Sequence, residues 1–167
     1  MDKHTKVKIY FSASIRNAAN NEYISNFLLP EKFIVYLPQK ITPSGTPDEN
    51  FPDKVFKRCI KMMNSSDAGL VILDSFGIDS CWECGWYTHS DKILIGFVEA
   101  SSNFLRDWML KGGLNGLITT NERLYNIALN DPILKNKDLK LIKSLDEIGD
   151  SILTIYNNHL QNVKKNV

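Results

Sequence analysis

Cysteine is scarce in this chain: Cys59, Cys81 and Cys84 are the only three in 167 residues. An odd and sparse set cannot build a disulfide framework, and it fits free thiols in a reducing compartment. Charge of one sign is not in surplus either, since 20 Lys and Arg face 19 Asp and Glu for a formal net charge of +1. A protein that tracks a phosphate backbone carries a clear basic excess, so polymeric nucleic acid is not the expected partner. No apolar run approaches the roughly 20 residues that span a bilayer. Met1 to Lys6 enters a strand-like segment without a signal-peptide core or cleavage site, so the expected location is the cytoplasm, away from membranes. Internal repeats and low-complexity tracts are missing. So are the Gly-x-Gly-x-x-Gly spacing of a dinucleotide fold and the Gly-Lys-Ser/Thr of a P-loop, which argues against NAD hydride or ATP chemistry and leaves no cofactor expected.

What is present suffices for one globular domain over 1–167. The hydrophobic share is 43% and the charged share 23%, close to the soluble average. Val7 to Phe11 reads as a strand, followed by a polar turn at Ser12-Ala13-Ser14 and a helix over Asn20 to Leu29. Lys32 to Leu37 reads as a strand, and Pro38 to Pro52, with Pro43, Gly45 and Pro47, as loop. Asp53 to Met63, Asp79 to His89 and Asn103 to Leu110 carry helical spacing. Ala68 to Leu73, Lys92 to Val98 and Asn115 to Thr119 read as strands, the first two continuously apolar. Beyond Asn121 a helical extension over 121–167 is expected, broken near Pro132, with a final helix from Leu145 to about Val163 and a frayed tail from Asn162. Strands that alternate with helices and are apolar on both faces predict a doubly wound α/β fold with a parallel sheet of about five strands. Ligands of such sheets bind beyond the carboxyl ends of the strands. Here those ends are Ser12 to Arg16, Asp74 to Gly77, and Val98-Glu99.

Three constellations can carry chemistry. Glu83 sits near the start of a helix that follows a strand's carboxyl end, among Trp82, Trp86 and Tyr87. A helix N-terminus favours the ionised carboxylate while aromatic walls desolvate it, a setting for a nucleophile; the plainer reading is a solvated, dipole-stabilising acid. Gly85 leaves room for another backbone or ring to pack closely. Ser12-Ala13-Ser14-Ile15-Arg16-Asn17 offers hydroxyls, backbone N–H groups and a guanidinium, a cradle for a phosphate or an ordinary polar turn. Cys81-x-x-Cys84 lacks the second paired spacing of a zinc site, so no metal is expected, and a redox pair at this place in the chain is less expected than small buried thiols under the sheet. Trp108 and Met109 are residue types that can wall an aromatic base.

The run Lys8-Ile9-Tyr10-Phe11-Ser12-Ala13-Ser14-Ile15-Arg16, Ser66-Asp67, Glu83-x-Gly85 and Asp107-x-Met109 together resemble the nucleoside 2-deoxyribosyltransferase family over roughly residues 6 to 120. The resemblance implies a flavodoxin-like (Rossmann-like) sheet and cleavage or transfer at the N-glycosidic bond of a nucleoside. It implies Glu83 as the nucleophile that forms a glycosyl-enzyme ester, Tyr10 as the residue that orients it, and Met109 as part of a neighbouring subunit's pocket in a homo-oligomer. Ser14-Ile15-Arg16 is similar to the phosphate-binding turn of the 2'-deoxynucleoside 5'-phosphate N-hydrolase branch, which implies a 5'-monophosphate substrate and water as acceptor.

The chain departs from the pattern at three places. Cys59 stands where many members carry an aspartate toward the base, and a thiol is a poor substitute for a carboxylate. The turn before Glu83 lacks the usual Ser-Gly-Thr, leaving Gly77, Asp79 and Ser80 to contact the sugar. Asp107 replaces an asparagine. A relative that binds a nucleotide without turnover, and a TIR-like NAD glycohydrolase suggested by Ser80-Cys81-Trp82-Glu83, are the alternatives.

Overall fold

A computed structural model of the chain describes residues 6–41 and 50–165, with side chains to residue 162. The loop residues Pro43, Gly45 and Pro47, the first five residues and the end of the tail lie outside the described residues. The strands are β1 (Val7–Ser12), β2 (Phe33–Tyr36), β3 (Ala68–Ile72), β4 (Ile93–Val98), β5 (Gly116–Thr119) and β6 (Asp138–Leu141). The helices are α1 (Ala18–Ser25), α2 (Phe51–Ser65), α3 (Ile78–His89), α4 (Trp108–Gly113), α5 (Glu122–Asn130) and α6 (Ile148–Lys165).

Every neighbouring pair of strands runs parallel, in the order β2-β1-β3-β4-β5-β6. The first five positions are the doubly wound 2-1-3-4-5 order. The strands expected to be continuously apolar, β3 and β4, are buried at every residue, as helices on both faces require. Three expectations about these elements are corrected. The sheet has six strands rather than about five, and 121–167 is not a purely helical extension, because β6 within it pairs with β5 through Gly116–Thr119. The expected Asn103 to Leu110 helix is divided into a 3-10 turn at Asn103–Arg106 and α4.

Period-two alternation divides the side chains of β1 between two cores. Ile9 and Phe11 join Ile24 of α1 and Ile148, Ile152 and Ile155 of α6. Tyr10 points the other way, into the layer formed by Met63 of α2, Cys84 and Tyr87 of α3, Leu110 of α4 and Leu124 of α5. Ser12, two residues on, shares the face of Tyr10 and is fully buried. The connections diverge after β1, toward β2 on one side and β3 on the other, which opens a crevice at the carboxyl ends of β1 and β3.

Close approach at the far edge of the sheet requires glycine at position 116. A Cβ there would lie 2.9 Å from the Asp138 carbonyl oxygen and 2.8 Å from Ile155. Gly85 differs from its expected role: a Cβ would meet nothing within 4 Å, so no ring or backbone packs on it. Gly116→Ala is expected to destabilise the fold by about 1–3 kcal/mol through overpacking. Gly85→Ala, in the interior of α3, is expected to stabilise it by up to ~1 kcal/mol through helix propensity. Urea denaturation of both variants checks the pair of opposite shifts.

Candidate active site

Glu83 lies in the second turn of α3, where its helix's free N–H groups do not reach it. Its partners come from β1. The Tyr10 hydroxyl donates to Glu83 Oε1 in a short hydrogen bond, and Ser12 Oγ donates to Oε2 at 2.6 Å. The period of the strand explains the pair, since residues 10 and 12 face the same layer and α3 crosses that layer. Each carboxylate oxygen therefore has one buried hydroxyl donor, and the carboxylate is held in one orientation. Burial raises the Glu83 pKa, and the two hydroxyl donors offset part of that rise.

Behind this pair stands a second set of contacts. Tyr87 packs 6.2 Å from Tyr10, ring centre to ring centre, and its hydroxyl meets Ser66 Oγ at 2.6 Å. Ser66 gives its own proton to the Met63 carbonyl at 2.7 Å, so Tyr87 donates to Ser66. The Tyr87 ring fits only because β3 carries Gly69 beside it, where a Cβ would come within 3.0 Å of the ring. On the other side stands Cys59 of α2, close enough to Tyr10 for the two groups to influence each other, and burial pushes its thiol pKa up. Burial, reinforced by Glu83, also raises the Tyr10 pKa and keeps the phenol protonated.

Beside Glu83 a cleft of about 610 Å³ opens between α2 and α3, lined by Phe51, Val55, Phe56, Cys59, Ile60, Met63, Asp79 and Trp82 among others. This volume is within the range of small-molecule sites. Phe56 and Trp82 meet edge to face across it at 6.1 Å. Trp86 is not a wall of the cleft; it packs on Tyr87 and under the Lys92 ammonium. Asp79 is exposed at the cleft, whereas Ser80 is buried at the start of α3 and is not among the lining residues. Gly77 is the extended residue that caps α3.

The Ser14 turn forms a 3-10 turn over Ile15–Asn17, in which Ser14 Oγ accepts from Arg16 N at 3.4 Å. Ile15, Arg16 and Asn17 are all exposed, and the Arg16 guanidinium makes no ion pair with a described residue. Sequence reasoning missed what holds this turn. Buried Asn21 donates from Nδ2 to the Ser14 carbonyl at 2.9 Å. Asp74, expected only as part of a ligand-facing strand end, has a structural role: its carboxylate accepts from the N–H groups of Glu99, Ala100 and Ser101 at 2.7–2.8 Å and ties the carboxyl end of β3 to that of β4. An acid directly after a buried strand was the available clue.

Met109 and Trp108 lie away from the Glu83 cleft. They are 91% and 76% exposed, and Met109 borders a separate groove with Cys81, Cys84, Leu110 and Gly113. The cysteines divide: Cys84 is buried, Cys81 exposed and Cys59 half-buried. Burial raises the Cys81 thiol and pushes Cys84 up to about 12, the opposite of the lowered thiol of a redox pair. Among the described residues no group of His, Cys, Asp and Glu is arranged to hold a metal, and no helix is long and apolar enough to cross a membrane.

No protein-family model matches the chain, and no curated protein matches it. Solved structures do. A 2-deoxyribosyltransferase from the psychrotolerant bacterium Bacillus psychrosaccharolyticus superposes with a TM-score of 0.55 at 16% identity, covering 66% of this chain and 85% of its own. A conserved protein from Enterococcus faecalis V583 superposes with a TM-score of 0.56 at 17% identity, covering 90% of this chain and 99% of its own. The likeness is one of fold. It shows the doubly wound parallel α/β architecture that the element order implied.

The raised pKa of Glu83 fixes the sign of its effect on stability. The folded state holds this proton more tightly than the unfolded chain, so stability present below the ordinary carboxyl value near 4.5 is lost as pH rises through the folded value. Wild type is therefore expected to lose stability relative to Glu83→Gln as pH rises from about 4.5 toward neutrality. Denaturant midpoints of both proteins across that range test the slope; parallel curves contradict it.

Proposed function

We propose that this protein cleaves, or transfers at, the N-glycosidic bond of a nucleoside or nucleoside 5'-monophosphate, with Glu83 as nucleophile. The observation that carries this reading is the buried Glu83 carboxylate, held at both oxygens by Tyr10 and Ser12 and facing a largely apolar cleft of about 610 Å³. Its place beside the crevice between β1 and β3 is where sheets of this order bind ligands. The fold likeness to a 2-deoxyribosyltransferase supports the same reading.

In the proposed reaction a Glu83 oxygen bonds to the anomeric carbon while the bond from that carbon to the base breaks, its electron pair leaving with the base. Water or a second base then attacks the same carbon from the opposite side, the ester bond breaks, and the carboxylate is regenerated with net retention; the proton that the acceptor loses matches the one that a departing neutral base takes up. Tyr10 and Ser12 hold the carboxylate in line for the first step and receive it again after the second. Asp79 at the cleft is suited to bind sugar hydroxyls. The Ser14–Asn17 turn supplies hydroxyl, N–H and guanidinium donors for a 5'-phosphate, and we assign Arg16 that role. Exposed Met109 and Trp108 suit a face covered by a second copy of the chain.

Chromatography of nucleosides and 5'-monophosphates incubated with the protein, with and without a free acceptor base, tests the reading. Wild type is expected to release base, and Glu83→Gln to be slower by on the order of 1,000-fold or more. Equal release by both proteins would sink the proposal, and tight nucleotide binding without release would favour a sensor. Tyr10→Phe removes a hydrogen bond that lowers the Glu83 pKa. Its expected effects are a kcat lower by about 10–100-fold and an acid limb of the pH–rate profile moved upward. Arg16→Ala is expected to raise KM for a 5'-monophosphate by about 10-fold or more while leaving the corresponding nucleoside nearly unaffected.

A further inference from the structure

We propose, on the basis of the glycosidic reading above, that the preferred substrate carries a leaving base that is cationic while attached to the sugar, an N-linked pyridinium being the simplest case. The cleft between α2 and α3 is built for such a ring. Its walls are apolar and aromatic, with Phe51, Phe56 and Trp82 contributing rings, and the ionisable acids among its described lining residues are Asp79 and Glu83. No lysine, arginine or histidine is among those lining residues. A cation over the faces of Trp and Phe is attracted by the ring quadrupoles, and two carboxylates at the same cleft add to that attraction. A neutral ring gains only the apolar contact.

The proton requirement of the leaving group points the same way. A neutral base that departs with the bonding electron pair becomes an anion unless an acid protonates it. The polar side chain that α2 brings to this cleft is Cys59, a thiol that burial makes a weaker acid still. A pyridinium needs no proton. When the Glu83 oxygen bonds to the anomeric carbon, the electron pair of the breaking carbon–nitrogen bond returns to the ring nitrogen and cancels its positive charge, so the base leaves neutral. The same charge acts on the nucleophile. Glu83 is held toward its protonated form by burial, and a cationic ring beside it favours the carboxylate. A cationic ring at this cleft thus works against the burial that disfavours the attacking carboxylate.

Two measurements on the full chain test this. In the first, kcat/KM is compared for nicotinamide riboside and its 5'-monophosphate against uridine, inosine, their 2'-deoxy forms and the matching 5'-monophosphates. The expected result is a preference of about 100-fold or more for the pyridinium substrates. The second measurement removes leaving-group reactivity from the comparison. Binding of 1-methylnicotinamide, a cation that cannot be cleaved, is measured against 3-methylbenzamide, its neutral equivalent in shape. The cation is expected to bind about 10-fold more tightly, and Trp82→Leu to reduce that ratio several-fold. Equal binding of the two rings, or neutral nucleosides cleaved as fast as the pyridinium ones, overturns the inference and leaves the glycosidic reading intact. Release of base from none of the substrates removes the glycosidic reading itself.

Discussion

Keeping a carboxylate out of water is unfavourable unless donors replace the water it has lost. Tyr10 and Ser12 supply those donors to Glu83 from a strand that is itself buried. Much of the surrounding architecture follows from that one requirement. Both hydroxyls must emerge from the same face of β1, which places them two residues apart, and α3 must cross that face with its second turn over the strand's carboxyl end. The result is a charged group whose position is set by the sheet rather than by its own helix.

The sheet meets this requirement at the point where its winding reverses. β1 is flanked by β2 and β3, so the chain segments leaving β1 and β3 part and uncover the edge from which Glu83 is reached. Asp74 fastens one rim of that edge by accepting three consecutive N–H groups after β4, and Asn21 fastens the other by holding the Ser14 carbonyl. Between two pinned rims, the cleft takes its chemical character from α2, whose Phe56, Cys59 and Ile60 face Trp82 and Glu83.

The parts of this design visible in the sequence are those governed by local pattern. The continuous apolar runs of β3 and β4 identify central parallel strands, and the run from Val7 to Ser12 identifies β1. β6 escaped because Asp138-Leu139-Lys140-Leu141 is a half-buried edge strand, short and half polar, with no apolar run to mark it. Glu83 stood out by its place after a buried strand, but the helix-terminus explanation was the wrong one: its partners lie 71 and 73 residues away on β1, and of the two only Tyr10 was signalled, through the family resemblance and not through local pattern. Contacts across that distance leave no periodic trace. Tyr87 illustrates the same limit, since its apolar helical spacing says core while its hydroxyl bond to Ser66 and its fit over Gly69 exist only once β3 and α3 are packed together.

The contact between Gly69 and Tyr87 also restricts how this site can change over generations. Any side chain at position 69 pushes the Tyr87 ring, and the ring is what Tyr10 leans on, so the two positions are energetically coupled and cannot drift one at a time. Variation is easier on α2, which touches the cleft without carrying the carboxylate. A lineage built on this scaffold would therefore keep Glu83 with its two donors and revise the walls of the cleft, with position 56, exposed on α2 opposite Trp82, among the places where such a revision is least obstructed.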